Sequence, residues 1–407
     1  MTALPWFHHA WRVLPAAPRR RLLVGAAALL APRIAHPTPA ANGGVIVAGE
    51  LTRASGLGES ARLMVRALDT LGIPNWPLDI GALLPAHEAD MAFVAAKTQP
   101  PQDAALVLHV NAPMLPMVLA RLPRALVRGR RVVGYWAWEL PVVGPEWRIG
   151  ARFVHEAWAP SDFTAAALAP LLDGRVRTVP HPLAAAPPVP AAMDRAAFGL
   201  PADAVIVLVG FNLASSFERK NPLAAIAAFR AAFAERADRL LVLKVGNPAH
   251  APDDFARLVA AVADAPNIRL ETRIFPAAES FALTAAADIV LSLHRSEGFG
   301  LLPAEAMLLG RPVVATGWSG NMTFMDDTSA ALVGYRLVAA RDPRGVYAVA
   351  GAVWAEPDIA RAADWLRRLA DDPALRARLG AAGRAAAQAR LGSAALADAV
   401  RSLGLAT

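Results

Sequence analysis

The stretch Asp288–Thr316, DIVLSLHRSEGFGLLPAEAMLLGRPVVAT, decides the fold. DIVLSLH and PVVAT are short apolar runs of the kind that form strands buried on both faces. Between them lie a glycine-aromatic-glycine loop, RSEGFG, and a helical segment over Pro303–Leu309. Pro303 suits a first helical position, where its missing N–H is harmless. Strand, loop, helix and strand in this order are the unit of a parallel sheet with crossover helices. Ligands of such sheets sit beyond the carboxyl ends of the strands, which is where Glu297 and Glu305 fall. The open N–H groups of the helix start form an anion site, with a dipole contribution of ~0.3 to 1 kcal/mol. The two carboxylates suit neutral hydroxyls instead, such as a vicinal diol. A ligand that combines phosphate with sugar, a nucleotide sugar, satisfies both. The plainer reading makes Glu305 an acid favoured by the helix dipole and Glu297 a solvated loop residue.

The same alternation runs outward in both directions. Upstream come AVIVLVGF, a helix from Pro222, RLLVLKVG, PDDFARLVAAVAD, IRLETRIF and ESFALTAAA, all belonging to one unit. An earlier series, beginning with GGVIVAGE and the helix Gly58–Gly72, continues through PNWPLDI, DAALVLHV, a helix over Met114–Arg128, RRVVGYWAW, HEAWAP and VRTVPHP. The proline- and alanine-rich text ending at Pro201 separates the two. A chain of 407 residues suits two such cores and a cleft between them. The expected fold class is therefore α/β, with two Rossmann-like doubly wound domains. The expected segments are a basic N-terminal extension (1–40), a first domain (41–185), a linker (186–201), a second domain (202–380) and C-terminal helices (381–407) resting on the second domain.

Hydrophobic content of 55% with 18% charged residues excludes a disordered chain, and the lack of cysteine excludes disulfides and thiolate chemistry. The net charge of +7 is concentrated at the N-terminus, where the first forty residues hold five arginines and no acid. Nucleic acid is accordingly not an expected partner. The apolar run after Arg19–Arg21 is too short to span a bilayer, and it reads as a membrane-touching extension or a signal peptide. The segment Ala112–Arg131 combines an apolar face with Arg121, Arg124, Arg128, Arg130 and Arg131, and reads as an anionic-membrane surface or as a solvated crossover helix.

Against this arginine bias the chain holds only three lysines, Lys97, Lys220 and Lys244. Lys220, with Arg219 beside it, follows the strand AVIVLVGF, and Lys244 ends the neighbouring strand. Both are placed to neutralise a diphosphate, the alternative being solvated surface. The turn SGLGESA matches G-x-G-x-x-A with Asp79 about twenty residues on, a dinucleotide fingerprint. ELTRAS separates the strand from Gly56, however, which favours Gly56 and Gly58 approaching a diphosphate from across the cleft.

With these residues in place the chain resembles retaining glycosyltransferases of the GT-B fold, in the bacterial group called family 4 or group 1. The resemblance covers most of residues 43–400. It rests on the E-x7-E motif EGFGLLPAEAM followed by GRPVVAT, on the glycine loop GLGESAR, on HEAWAPSDFT and on VRTVPHPL. It implies that Glu305 binds the nucleotide ribose, that Glu297 lies by the donor sugar, and that Lys220 holds the diphosphate. The family's arginine ahead of that lysine is missing, so Asn212 or Arg219 takes its place. The family's histidine at the end of VVGYWAWELP is missing too. Glu139 or His109 would then face sugar or acceptor, unless each is structural. The implied reaction moves a sugar from a nucleotide diphosphate sugar to an acceptor hydroxyl with retention. Lys220, Arg219 and the backbone of Gly298, Phe299, Gly300 and Leu301 would neutralise the leaving group. No D-x-D occurs, so neither a metal nor any other cofactor is expected. The expected partners are the nucleotide sugar, a glycan or lipid-linked acceptor of the cell envelope, and an anionic membrane surface. The expected location is the cytoplasm, peripheral at the inner face of the plasma membrane. The competing readings are a sugar-nucleotide epimerase of GT-B-like fold and a non-catalytic nucleotide-sugar-binding protein.

Overall fold

The computed structural model describes residues 16–84, 93 and 98–405. Arg12 and Lys97 lie outside them. Two parallel six-stranded sheets form the framework. The first contains β1 (Val45–Gly49), β2 (Asn75–Asp79), β3 (Ala105–Leu108), β4 (Val132–Tyr135), β5 (Glu156–Ala159) and β6 (Val176–Thr178), in the order β2-β1-β3-β4-β5-β6. The second contains β7 (Val205–Asn212), β8 (Arg239–Gly246), β9 (Ile268–Glu271), β10 (Ile289–Ser292), β11 (Val313–Thr316) and β12 (Ala331–Val333), in the order β12-β11-β10-β7-β8-β9. The order reverses between β1 and β3 and between β7 and β10, and a doubly wound sheet opens its ligand crevice at such a reversal.

The central strands β1, β3, β4, β10 and β11 are apolar and buried because both faces are covered. Along β1 and β3, Ile46, Ala48, Leu106 and Leu108 join one core cluster, while Val45, Val47, Ala105 and Val107 join another on the opposite face. In β7, Val207 and Val209 face one core of the second unit, and Ile206 and Leu208 the other. The chain crosses from the first sheet to the second between β6 and β7. This crossing is packed, since Leu183, Phe198 and Leu200 are buried in the second unit.

Several local expectations are corrected. The helix expected over Met114–Arg128 is a single short helix, Leu115–Leu119, followed by a 3-10 turn at Arg124–Leu126. Pro123 has no N–H to continue the helix, so it ends there. Arg130 from that segment is buried and donates to the carbonyls of Pro101 and Ala104, and Arg131 pairs with Glu156 at 3.3 Å. The helix Ala16–Leu30 packs on the first unit: Val24 is buried, and Ala28 and Ala31 pack on the first core. The helices Ile359–Asp371 and Pro373–Arg390 rest on the second unit as expected from the text, but Ala394–Leu403 returns to the first. Leu396, Val400 and Leu403 pack there with Val45, Met64 and Leu68. An alanine-rich amphipathic helix carries an apolar face but no label for the sheet that receives it.

An antiparallel pair, β13 (Tyr335–Ala339) and β14 (Val353–Pro357), follows the second sheet and had no counterpart in the expected βα alternation. The loop between them returns toward the first unit, where Tyr347 and Trp354 join its core cluster.

Candidate active site

The loop after β10 is shaped by backbone demands. Gly300, with φ of +100°, occupies a left-handed conformation that a side chain rarely adopts, and it caps the helix Leu301–Leu308. The loop is also clamped by the first unit. Ser161 Oγ donates to Gly298 O at 2.6 Å, and Ser296 Oγ donates to Glu139 O. A side chain at position 320 would place its Cβ 2.3 Å from the Gly298 carbonyl carbon, so Gly320 permits the loop to fold over itself. His294 beneath it is buried and neutral. Its Nε2 faces the carbonyl oxygens of Trp318 and Asn321 at 3.3 and 3.1 Å, and Ser292 Oγ lies 2.9 Å from Nδ1.

These elements border a cleft of about 820 Å³ between the two sheets. Among the described residues, the amides of Gly298 to Leu302 have no protein acceptor, and they open onto this cleft. A second helix start, Gly56–Thr70, reaches the cleft from the first unit. Ser55 caps it by accepting from Gly58 N at 2.9 Å and is itself held by Glu50 at 2.6 Å. Gly58 must be glycine, because a Cβ there would lie 2.4 Å from Glu50 O. Gly56 faces open space, so a ligand can approach its backbone.

Between the two helix starts lies a charged cluster. Glu297 accepts from Lys220 Nζ at 2.6 Å and from Arg219 at 3.0 Å. Burial opposes its ionisation, but the charges of Lys220 and Arg219 prevail and hold its carboxyl far below the ordinary range. Burial pulls the Lys220 ammonium down from its usual value despite Glu297. Arg219 is buried: it donates to Ser296 O and to Ser215 Oγ, both at 2.7 Å, its Nε has no acceptor among the described residues, and its guanidinium lies 5.6 Å from the Tyr347 ring centre. Burial works against its charge, yet Tyr347, Glu297 and Glu139 raise its pKa above the usual value. Glu139 stands 3.9 Å from Arg219 and borders the cleft.

Glu305 projects into the same cleft with no ion-pair partner among the described residues. Burial, reinforced by the charge of Glu59, pushes its carboxyl up to about 8. The two glutamates of the motif thus differ in kind: one is locked between cations and the other is left without a counter-ion.

Of the remaining sequence candidates, Asn212 borders the cleft and its carbonyl oxygen accepts from Ala214 N at 2.8 Å and Asn247 Nδ2 at 3.1 Å. Lys244 lies at the cleft edge, donating to Arg273 O at 2.6 Å over the Phe275 ring. Asp79 serves its own loop, accepting from Thr52 N and Thr52 Oγ1. His109 does not border the cleft. It is buried behind Ser60, whose Oγ lies 2.9 Å from Nδ1, and it stacks on Tyr135 at 4.5 Å. One cleft residue, His181, lies within VRTVPHPL and carried no signal of its own. Tyr347, from the β13–β14 loop, which carried no motif, is buried behind the cleft beside Arg219.

Two doubly wound parallel sheets that share one cleft at their strand ends define the GT-B class of fold. A family profile described as "Family 4 Glycosyltransferase in conflict systems" matches residues 171–393, more than half of the chain, and the chain belongs to that family. The D-inositol 3-phosphate glycosyltransferase of Frankia alni is 36% identical over 161 residues, which are 37% of this chain and 33% of that protein. The match thus spans about a third of that relative's length. Among solved structures, a glycosyltransferase from Rickettsia africae superposes with a TM-score of 0.61 at 12% identity, covering 90% of this chain and 98% of that one. HepE from Anabaena, in complex with UDP-glucose, gives 0.59 at 15% identity, covering 88% and 98%. At such identities the structural likeness concerns the fold.

Proposed function

We propose that this chain transfers a sugar from a nucleoside diphosphate sugar to an acceptor hydroxyl, with retention at the anomeric carbon. One observation carries the reading: two helix starts, one from each sheet, open onto a single cleft beside Lys220, and the amides of Gly56, Leu57 and Gly298 to Leu302 have no protein acceptor among the described residues. Such amides at helix starts stabilise a diphosphate, both bound and as a leaving group. Glu305 takes the ribose diol of the donor, and Glu297 lies by the transferred sugar. The acceptor oxygen bonds to the anomeric carbon on the face that the diphosphate leaves, and a diphosphate oxygen takes the acceptor's proton. Lys220 and the amides supply the charge neutralisation that a metal provides elsewhere. The complex of the Anabaena neighbour with UDP-glucose supports a nucleotide-sugar ligand for the shared fold.

A thermal-shift panel of nucleoside diphosphates, their sugars and NAD tests this. Binding at a hundredfold excess over Kd contributes about 2.7 kcal/mol, which raises the melting temperature by several degrees. At least one nucleotide sugar is expected to give that shift and then to be consumed in a hydrolysis or transfer assay. A shift with NAD and none with nucleoside diphosphates would reject the proposal. A bound nucleotide sugar that is never cleaved would leave a binding protein, and one whose sugar is epimerised would leave an epimerase.

An envelope-side acceptor is supported by the first unit's surface. Leu29 is 88% exposed on the helix Ala16–Leu30, Leu22, Leu23 and Leu30 are exposed with it, and this helix packs on the segment that carries the exposed Arg121, Arg124 and Arg128. Exposed apolar and basic groups on adjoining segments suit an anionic bilayer at about 1 kcal/mol per basic residue. Among the described residues no helix is long and apolar enough to cross a membrane. Co-sedimentation is expected with vesicles rich in anionic lipid, and replacement of Arg121, Arg124 and Arg128 by serine is expected to reduce it at least tenfold. Binding that ignores lipid charge would remove the idea.

A further inference from the structure

We propose that His181 accepts a hydrogen bond from a hydroxyl of the bound donor and thereby selects for the donor's polyol part. This deepens the reading of the cleft given above and rests on it. The argument follows the protons. Tyr135 Oη lies 2.7 Å from Val179 O and 3.0 Å from His181 Nδ1. A backbone carbonyl only accepts, so the tyrosine donates its single proton there. The tyrosine oxygen must then receive from His181, which places the imidazole proton on Nδ1 and leaves Nε2 with a bare lone pair.

The residue is 5% exposed and borders the cleft, and Nε2 has no protein partner among the described residues. Its ring also meets Phe299 of the loop after β10 edge-on, with ring centres 4.5 Å apart. Pro180 and Pro182 flank it and fix the local backbone, while Val179 N donates to Ala159 O at 2.8 Å. The lone pair is therefore held by a stiff support rather than by a free loop.

The chemistry of the ligand group follows. Burial keeps the imidazole neutral by lowering its pKa to about 3, so it cannot serve as a cation for phosphate. A bare acceptor would repel a phosphate oxygen, which the amides and Lys220 already accommodate. Hydroxyl groups remain, and a nucleotide sugar carries them on the ribose and on the transferred sugar.

Calorimetry on the full chain distinguishes the two, using the nucleoside diphosphate found in the panel, its 2′-deoxy and 3′-deoxy forms, and the matching nucleotide sugar. Asparagine at this site mimics Nδ1 and lacks the outer acceptor, whereas glutamine reaches the position of Nε2. His181→Asn is expected to weaken binding about tenfold and His181→Gln less than threefold, the scale of one neutral hydrogen bond. A loss already present with the nucleoside diphosphate, and abolished for one of its deoxy forms, assigns a ribose hydroxyl. A loss confined to the nucleotide sugar assigns the transferred sugar. Equal losses in both variants, or none in either, overturn the proposal. Nitrogen-15 spectra of the unmodified protein provide a check that does not depend on the variants folding. Nε2 of His181 is expected to resonate as an unprotonated nitrogen and to shift when the donor binds; a protonated Nε2 overturns the assignment. The spectral result stands even if the donor proves not to be a nucleotide sugar, so failure of this inference is separable from failure of the proposed reaction.

Discussion

Glutamine in place of Glu297 is expected to destabilise the empty protein by about 3 kcal/mol while tightening its hold on a nucleoside diphosphate. The carboxylate touches Lys220 at 2.6 Å and Arg219 at 3.0 Å, and their side chains are 23% and 4% exposed. Removing one partner of such a cluster leaves buried positive charge without compensation, which costs about 3 to 5 kcal/mol for fully buried pairs and less for the partly solvated lysine. Glu297 has a depressed pKa, so its stabilisation is present above the ordinary carboxylate range and is lost as pH falls toward its lowered value. The variant should accordingly show a flatter acid limb in denaturant titrations followed over pH. Binding moves the other way. In the empty cleft the lysine is committed to Glu297, and a diphosphate must compete with that carboxylate for it. With glutamine there, the competitor's charge is gone, and affinity for the nucleoside diphosphate is expected to rise about tenfold, or 1.4 kcal/mol. Transfer is expected to fall nonetheless, because the proposed reaction places this carboxylate beside the transferred sugar. Unchanged stability together with unchanged diphosphate affinity would mean that the pair is incidental.

Much of this site could be read from the text because its parts are local. The strand, turn and helix around Glu297 and Glu305 lie in one continuous stretch, and a chain with three lysines draws attention to Lys220. The contact between Lys220 and Glu297 was not legible, since it joins the end of the short helix Phe217–Lys220 to a loop residue 77 positions away in sequence. Arg219, expected at the diphosphate, borders the cleft, and its terminal nitrogens already donate to Ser296, Ser215 and Glu297. The histidines show the limit most clearly. His109 directly follows β3 and seemed a cleft residue, but at that register it points behind Ser60 into the core. His181 sits between two prolines at the end of the first domain's last expected strand, and nothing in the pattern assigned it a role. Which way a strand-end residue points depends on register and on what packs beneath it, and neither is written in the local pattern. The β13–β14 pair was missed for a related reason. A search tuned to buried parallel strands passes over β13, which is largely exposed, and so misses the loop that brings Tyr347 beside Arg219 and Trp138.

Glu305→Gln is expected to separate stability from binding in the opposite sense. The wild-type carboxyl is pushed from 4.5 to about 8 by burial and by Glu59. Between those values the folded state holds a proton that the unfolded chain releases, so stability falls as pH rises through that window, and the whole deficit is present above about 8. Glutamine cannot ionise and escapes the penalty. The empty variant should be more stable than wild type at pH 8.5 by on the order of 1 kcal/mol, after discounting for partial exposure, or about 2 to 4 °C for a domain of 150 to 250 residues. At pH 5 the two should melt alike. Donor binding should nevertheless weaken by ~1.5 to 3 kcal/mol, the scale of hydrogen bonds to a charged group. A vicinal diol donates two hydrogen bonds and favours the ionised carboxylate, so the complex pulls the pKa back down. Wild-type affinity for the nucleoside diphosphate is therefore expected to rise from pH 6 to pH 8, with a proton released below pH 8. Calorimetry in two buffers of different ionisation enthalpy measures that proton directly, and the glutamine variant must not release it. If wild type binds with no proton release and glutamine leaves affinity unchanged, the ribose is held elsewhere and Glu305 is only an acid at a helix start. If the variant binds weakly and melts below wild type at pH 8.5, the carboxylate has a structural partner in the empty protein and its role as an unpaired ribose acceptor fails.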